Sequence, residues 1–308
     1  MAHDRPTMLD VVKTHNTDEV AGLIDEATLA WPEFGIGFAR PVSGINYRTL
    51  VRTDLPAAGF RAANEGIEVK KGVYINRLVE CFILDASWDA DKAVADAAED
   101  GAGPFCTLMA NDHMEAAIKS VCQQFYYGTA SGVSGAANGF QGLVDYVDAA
   151  MVVDAAGTGA TTSSVYAVKF GPKDTAFVLG NGGRIEDGDI LVQQKSDTDS
   201  KVYMAYVQPI QGWIGLQVGS KYSVGRIRNV DASAAGKTLD DDMLAELLSD
   251  FPTGRRPDYL LMTRRSLEQL RKSRTATNAT GAPAPTPTDA FGVPIVATDA
   301  LTDTETAS

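Results

Sequence analysis

The amino-acid sequence predicts an α+β protein of more than one lobe. Three features carry that expectation. A long polar excursion separates two strand-like runs near residue 60, one helix-like run is long enough to cross a domain, and the part of the chain after residue 163 is mostly short β runs. At 308 residues the chain exceeds the usual size of one compact core. Its 44% hydrophobic and 22% charged residues are ordinary for a folded protein. No apolar run reaches the roughly 20 residues that a bilayer span takes, and residues 1–13 lack the apolar centre of a secretory signal. A protein folded and used in cytosol, with no membrane partner, is therefore expected.

The elements follow in order. Residues 18–29 read as a short helix, with Val20, Leu23, Ile24 and Ala27 at spacings of three and four. Trp31-Pro32 ends it, because a residue before proline avoids the helical region. Its apolar face suits a neighbouring subunit or its own core. Residues 45–53 (INYRTLVRT) alternate with period two, Tyr47, Thr49 and Val51 on one side and Asn46, Arg48, Leu50 and Arg52 on the other. Residues 73–84 (VYINRLVECFIL) read as a second strand. The connection between them is longer than compact domains usually tolerate without a function, and a protruding two-stranded arm accounts for it. Residues 89–100, Ala-rich and acidic, read as one helix. Gly101 to Pro104 breaks the pattern, and residues 105–127 then read as a long helix striped by Met114, Ile118, Val121, Cys122 and Phe125.

Beyond it, residues 163–170, 174–179, 189–194, 201–210, 212–218 and 223–230 are strand candidates divided by Gly, Asp and Ser turns. Residues 239–251 form an amphipathic helix with Thr238 and Asp241 as a capping-box pair and Pro252 as its stop. A strand at 259–262, a helix at 264–272 capped by Thr263, a Pro-rich loop and a last strand at 292–298 complete the chain.

Signatures of chemistry are missing. The three histidines, His3, His15 and His113, form no HxH or HExxH pattern. Cys106 lies seven residues before His113, but no oxyanion-type glycine turn accompanies them. The three cysteines form no CxxC, which disfavours a disulfide framework or a zinc site, and Cys122 reads as a buried small hydrophobe. GNGG at 180–183 reads as a hairpin turn, and no P-loop occurs. Asp240 to Asp242 suit the first turn of a helix better than a metal. The net charge of −13 lacks the basic balance of a protein that wraps nucleic acid by neutralising phosphates. No catalytic residue, metal or cofactor is expected.

Residues 54–92 (DLPAAGFRAANEGIEVKKGVYINRLVECFILDASWDADK) resemble the extended-loop region of tailed-bacteriophage major capsid proteins. NGFQGL (138–143), SSVYAVKFGP (163–172), RIRNVD (226–231), DYLLMTRRSLEQL (258–270) and FGVPIVATDAL (291–301) resemble later segments of that family in the same order. The resemblance implies the Hong Kong 97-type phage capsid fold, with permuted connectivity because peripheral-type strands precede the helix–strand–helix unit. The implied division is an N-terminal arm at 1–43, an extended loop at 44–85 and a peripheral domain with a spine helix at 86–128. A first axial part follows at 129–162, then peripheral strands at 163–225 and a second axial part at 226–308.

The implied function is that of a structural subunit assembling into hexamers and pentamers of an icosahedral shell around double-stranded DNA, which is enclosed without sequence-specific binding. Virion location, assembly in the host cytoplasm, a portal, a separate scaffolding protein and a decoration protein are the implied context. On the extended loop, Phe60 and Ile67 are the expected apolar anchors, and Arg61, Glu65, Glu68, Lys70 and Lys71 the charged partners across a subunit contact. On the arm, Val20, Leu23 and Ile24 are expected to grip a neighbour. An encapsulin-like non-viral shell and an α/β enzyme with an acidic site are the alternatives.

Overall fold

The computed structural model describes residues 31–129, 135–196, 200–234, 236–276 and 282–307. The expected arm helix, with Val20, Leu23 and Ile24, lies outside the described residues. A one-turn helix, Glu33–Ile36, leads into β1 (Ala39–Pro41), then β2 (Asn46–Asp54), β3 (Val73–Glu80), β4 (Phe82–Asp85) and β5 (Trp88–Asp91). The helices Lys92–Asp96 and Ala102–Tyr127 follow, then the short helix Leu143–Tyr146. Next come β6 (Val152–Asp154), β7 (Thr162–Val168), β8 (Thr175–Leu179), β9 (Ile185–Asp187), β10 (Leu191–Ser196), β11 (Val202–Gln208), β12 (Ile210–Val218) and β13 (Val224–Asp231). The helix Asp241–Ser249, β14 (Tyr259–Met262), the helix Arg264–Ala276, β15 (Asp289–Ala290) and β16 (Val293–Ala297) end the chain.

The strands make four sheets. A mixed sheet runs β1-β8-β12-β4, with β9 also on β12, and a three-stranded antiparallel sheet runs β10-β11-β5. A six-stranded sheet runs β15-β16-β14-β7-β13-β6, and β2 with β3 forms a separate hairpin. Every residue of β7 is buried, because each face of that strand meets a different core. Tyr166 and Val168 point to the core shared with the long helix, while Val165 and Ala167 point to the core under the helices Asp241–Ser249 and Arg264–Ala276. A strand buried on both faces reads as a continuous apolar run, which is why SVYAV shows no alternation.

The long helix has 26 residues, so it spans about 39 Å at 1.5 Å per residue. Gly101, at φ 86, sets its start, and Pro104 sits in the first turn, where its missing N–H costs nothing. Its first half is amphipathic and half-covered. Its last turns, Val121 to Tyr127, are buried almost all round, with Phe125 5.0 Å from Tyr126 in an edge contact and 5.0 Å from Phe177 across to β8.

Several sequence expectations need correction. The run 73–84 is not one strand: it breaks at Cys81, whose N–H donates to the Ile45 carbonyl, so that β4 leaves the hairpin and pairs with β12. Residues 89–100 are not one helix either. Trp88 to Asp91 pair with β11, and Asp91 then caps the short helix by accepting from the Ala93 N–H at 2.8 Å. The cap of the helix Asp241–Ser249 is Asp240, accepting from the Met243 N–H at 2.9 Å, in place of the expected Thr238–Asp241 box. GNGG is a tight turn, but β8 and β9 on either side of it both pair with β12 and not with each other. The run 163–225 contributes strands to three sheets.

Three buried tyrosines give the fold an alkaline limit. Burial, then the nearby Glu33 charge, raises the Tyr126 phenol well above its ordinary value. Burial and the Glu305 charge raise Tyr127, and burial raises Tyr166 against the opposing Arg226 charge. Unfolded phenols ionise near about 10, whereas these keep their protons while the fold persists. Their contribution is therefore complete below about pH 10 and is lost as pH climbs toward the raised folded values. The denaturation midpoint should fall steeply above about pH 10, with phenolate absorbance appearing together with unfolding. Phenolate absorbance that rises fully while the fold is intact would contradict this.

Candidate assembly surfaces

The hairpin β2–β3 is rooted on the body and free beyond it. Asn46 pairs with Glu80 at the root and Arg52 with Tyr74 near the end, with a bulge before Asp54 meets Val73. Along β2, Tyr47, Thr49 and Val51 are half-buried while Asn46, Arg48, Leu50 and Arg52 are exposed, as the alternation predicts. Tyr47 is the pivot of the root. Its hydroxyl bonds the Gln217 side-chain oxygen, the Arg40 guanidinium also donates to that oxygen at 3.2 Å, and Arg40 lies 4.5 Å over the Tyr47 ring. Burial raises the Tyr47 phenol, against the lowering effect of the Arg40 charge, so it stays a neutral donor. Arg77 on β3 donates to the Val218 carbonyl, and Val79 and Cys81 pack on Val178. Gly215 lets β12 approach this root, since a Cβ there would meet the Glu80 carbonyl oxygen at 2.3 Å.

Beyond the paired strands, residues 55–71 have no regular structure and are exposed throughout. All seven residues expected as contact candidates on the loop lie there. Phe60 is fully exposed, and Ile67 packs toward Gly59. Arg61 donates to the Glu65 carbonyl at 3.1 Å across a turn, with Asn64 at φ 68. Glu68 and Lys70 form an exposed ion pair at 3.7 Å, a pairing of little stability value in water. Lys71 is exposed beside Gly72. The sequence reading missed Leu55 and Val69, both largely exposed. The signal was present: Ile67 and Val69 alternate with Glu68 and Lys70, which puts two apolar side chains on one side of the strap. Leu50, Tyr74, Ile75 and Leu78 add exposed apolar surface along the strands.

A second feature runs beside the long helix. Phe34, Leu84, Met114, Ile118, Ile185 and Ile210 line an almost wholly apolar groove of about 250 Å³. The residues considered for chemistry are accounted for structurally. Cys81, Cys106 and Cys122 are all buried, and burial raises each thiol, the reverse of an activated nucleophile. Among the described residues, no cluster of three or more His, Cys, Asp or Glu could hold a metal. Asp241 pairs with Arg274 at 2.7 Å, Arg255 with Asp174 at 2.9 Å, Arg264 with Asp299 at 2.8 Å and Arg265 with Asp303 at 3.2 Å. Among the described residues, no helix is long and apolar enough to cross a membrane.

The family model for major capsid protein GP7 matches residues 40–308. The chain belongs to this major capsid protein family. No curated protein sequence matches it. Among solved structures, this capsid protein is similar to the near-atomic cryo-EM structure of bacteriophage Epsilon15, with a TM-score of 0.74 and 18% identity over 100% of this chain and 98% of that one. The capsid of bacteriophage JBD30 aligns at a TM-score of 0.51 and 12% identity, covering 93% and 94% of the two chains. An encapsulin from Synechococcus elongatus aligns at 0.49 and 10% identity over 73% of this chain. At these identities the likeness to the phage capsids concerns the fold, which is the Hong Kong 97-type capsid fold named by the sequence resemblance.

Proposed function

We propose that this capsid protein builds the shell of a tailed-bacteriophage virion, assembling into hexamers and pentamers that enclose double-stranded DNA without reading its sequence. Its role is geometric, not enzymatic. The observation that carries the reading is the hairpin. A segment as long as residues 55–71, exposed in full and carrying Phe60, Ile67 and Val69, gains nothing from its own fold and becomes covered only against a neighbour. Hydrophobic burial supplies the drive, and the flanking charges Arg61, Glu65, Glu68, Lys70 and Lys71 set register. The arm residues Val20, Leu23 and Ile24 are assigned a second grip on an adjacent subunit. The hairpin serves as the extended loop, the long helix as the spine of a peripheral domain, and the six-stranded sheet with its two helices as the axial domain. Assembly takes place in the host cytoplasm, on a portal and with a separate scaffolding protein, and a decoration protein is a further candidate partner.

Electron microscopy of the purified protein tests this. Co-expression with a scaffolding protein from its gene neighbourhood should yield closed shells of one diameter, and expression alone should yield open or irregular assemblies. Uniform closed shells from the chain alone would remove the scaffolding protein from the scheme. A compact monomer under every condition would overturn the whole reading.

A further inference from the structure

The three-stranded sheet ends on an open edge. β10 pairs with β11 on one side, and among the described residues nothing pairs with it on the other. Every residue of β10 except Lys195 is exposed, and its sequence, LVQQKS, carries no proline. Folded proteins usually blunt such an edge, because unpaired backbone groups recruit another strand. The apolar side chains also go uncovered. Ile190, Leu191 and Val192 are exposed at the edge, and Val202 and Met204 of β11 are 60% and 48% exposed behind it.

Self-complementarity indicates what covers this edge. Asp189 lies two residues before β10, and Lys195 lies near its end, so extending the edge by two residues gives it an acidic start and a basic finish. Two copies laid antiparallel therefore bring opposite charges together. A two-fold axis normal to the sheet keeps like faces together, so only residues of the same parity can stand opposite each other. With Val192 on the axis, Val192 meets its own copy, Leu191 meets Gln193, Ile190 meets Gln194, and Asp189 meets Lys195 twice. Moving the axis to Gln193 sets Leu191 against Lys195 and loses both ion pairs. Moving it to Leu191 would need Asp187 opposite Lys195, but Asp187 is held in β9 and accepts from the Gln208 side chain at 2.7 Å.

We propose that β10 is an assembly edge, where two copies of this chain join their three-stranded sheets into one six-stranded sheet across a two-fold axis at Val192. The occupant is a second copy, the contact is isologous, and backbone pairing gives affinity while the Asp189–Lys195 pairs fix register. The proposal rests on the shell-building reading and adds to it a contact independent of the hairpin β2–β3.

Cysteine cross-linking tests it, with the three native cysteines buried and silent. Directly opposed Cβ atoms on paired strands lie about 4.5–5.5 Å apart, within reach of a disulfide after small adjustment. Under mild oxidation Val192→Cys should give a disulfide-linked dimer, in shells and in concentrated soluble protein. Gln194→Cys should stay monomeric, because its own copy sits about 13 Å further along at 3.3 Å per residue. Asp189→Lys should cut the dimer yield at least tenfold in the Val192→Cys background, and adding Lys195→Asp should restore it. Shells that form without any Val192→Cys dimer would overturn this contact and leave the shell reading standing. Dimers through Gln194→Cys instead would overturn it as well. If no shells form at all, the shell reading has failed, and the soluble protein still decides the contact: a Val192→Cys dimer there upholds it and a monomer overturns it.

Discussion

Replacing residues 55–71 by an Asn-Gly dipeptide should leave a folded, soluble protein that makes no shells. The two halves of that result have separate causes. Every residue removed is exposed, and the polar contacts described within the strap are local: Asp54 to the Leu55 N–H, Arg61 to the Glu65 carbonyl, and the Glu68–Lys70 pair. No core contact is lost, so the stability of the isolated chain should change by no more than about 0.5 kcal/mol. Asp54 and Val73 already face each other, so a short turn closes the hairpin without moving its root. Assembly, in contrast, would lose Phe60, Ile67 and Val69 as anchors, each contributing about 1.5–3 kcal/mol when fully buried. That loss recurs at every subunit of a shell. The charges alone cannot replace it, because exposed ion pairs are each worth about 0–1 kcal/mol. Circular dichroism and thermal melting check the fold, and electron microscopy checks the shells. Uniform shells from the shortened chain would refute the role given to the loop, and a chain that fails to fold would refute the claim that the strap is idle in the monomer.

What could be read in the sequence follows from locality. The hairpin was legible because its alternation is written into adjacent residues: Tyr47, Thr49 and Val51 turn inward whatever the rest of the chain does. The long helix was legible for the same reason, and Pro252 and Thr263 mark real ends. The failures are places where a distant partner decides. Nothing near Cys81 says that the strand must leave β2 and cross to β12, since the run 73–84 is uniformly β-prone. Residues 89–91, the start of the Ala-rich acidic run 89–100, became strand because β11 lies beside them. β7 and β8 look alike as sequence, yet one enters the six-stranded sheet and the other the mixed sheet. The exposed loop contacts Phe60 and Ile67 stood out as apolar residues in a polar, glycine-rich setting. The apolar residues of β10 and β11 did not, because Leu191, Val192 and Met204 sit in runs that read as ordinary strands, and only the structure shows them uncovered.

Glu305 should prove the costliest polar residue to remove. It lies three positions from the end of the chain, yet its side chain is only 5% exposed. Its carboxylate accepts from the Tyr127 hydroxyl at 2.8 Å, the Ser164 hydroxyl at 2.6 Å and the Arg226 guanidinium at 3.3 Å. Its backbone closes a two-way bridge with Thr162. One side chain thus ties the long helix, β7, β13 and the C-terminal segment together. Glu305→Ala would leave Arg226, itself 13% exposed, as a nearly buried charge without its ion-pair partner, and would take the acceptor from the Ser164 hydroxyl, while Tyr127 would keep only the Thr302 hydroxyl, at 3.2 Å, to donate to. Breaking a buried pair by removing one member costs about 3–5 kcal/mol. For a chain of this size that lowers the melting temperature by roughly 5–8 °C. Glu33, also buried, provides the control. Its Oε1 accepts from the Tyr126 hydroxyl at 2.8 Å and from the Thr298 hydroxyl, but Oε2 has no hydrogen-bond partner among the described residues, and no arginine or lysine pairs with it there. Glu33→Gln keeps the occupied acceptor and should cost about 1 kcal/mol or less. Glu305→Gln, which places an amide N–H₂ among three donors, should cost clearly more. Equal melting shifts for the two glutamine variants would show that the three-donor arrangement around Glu305 does not matter as argued.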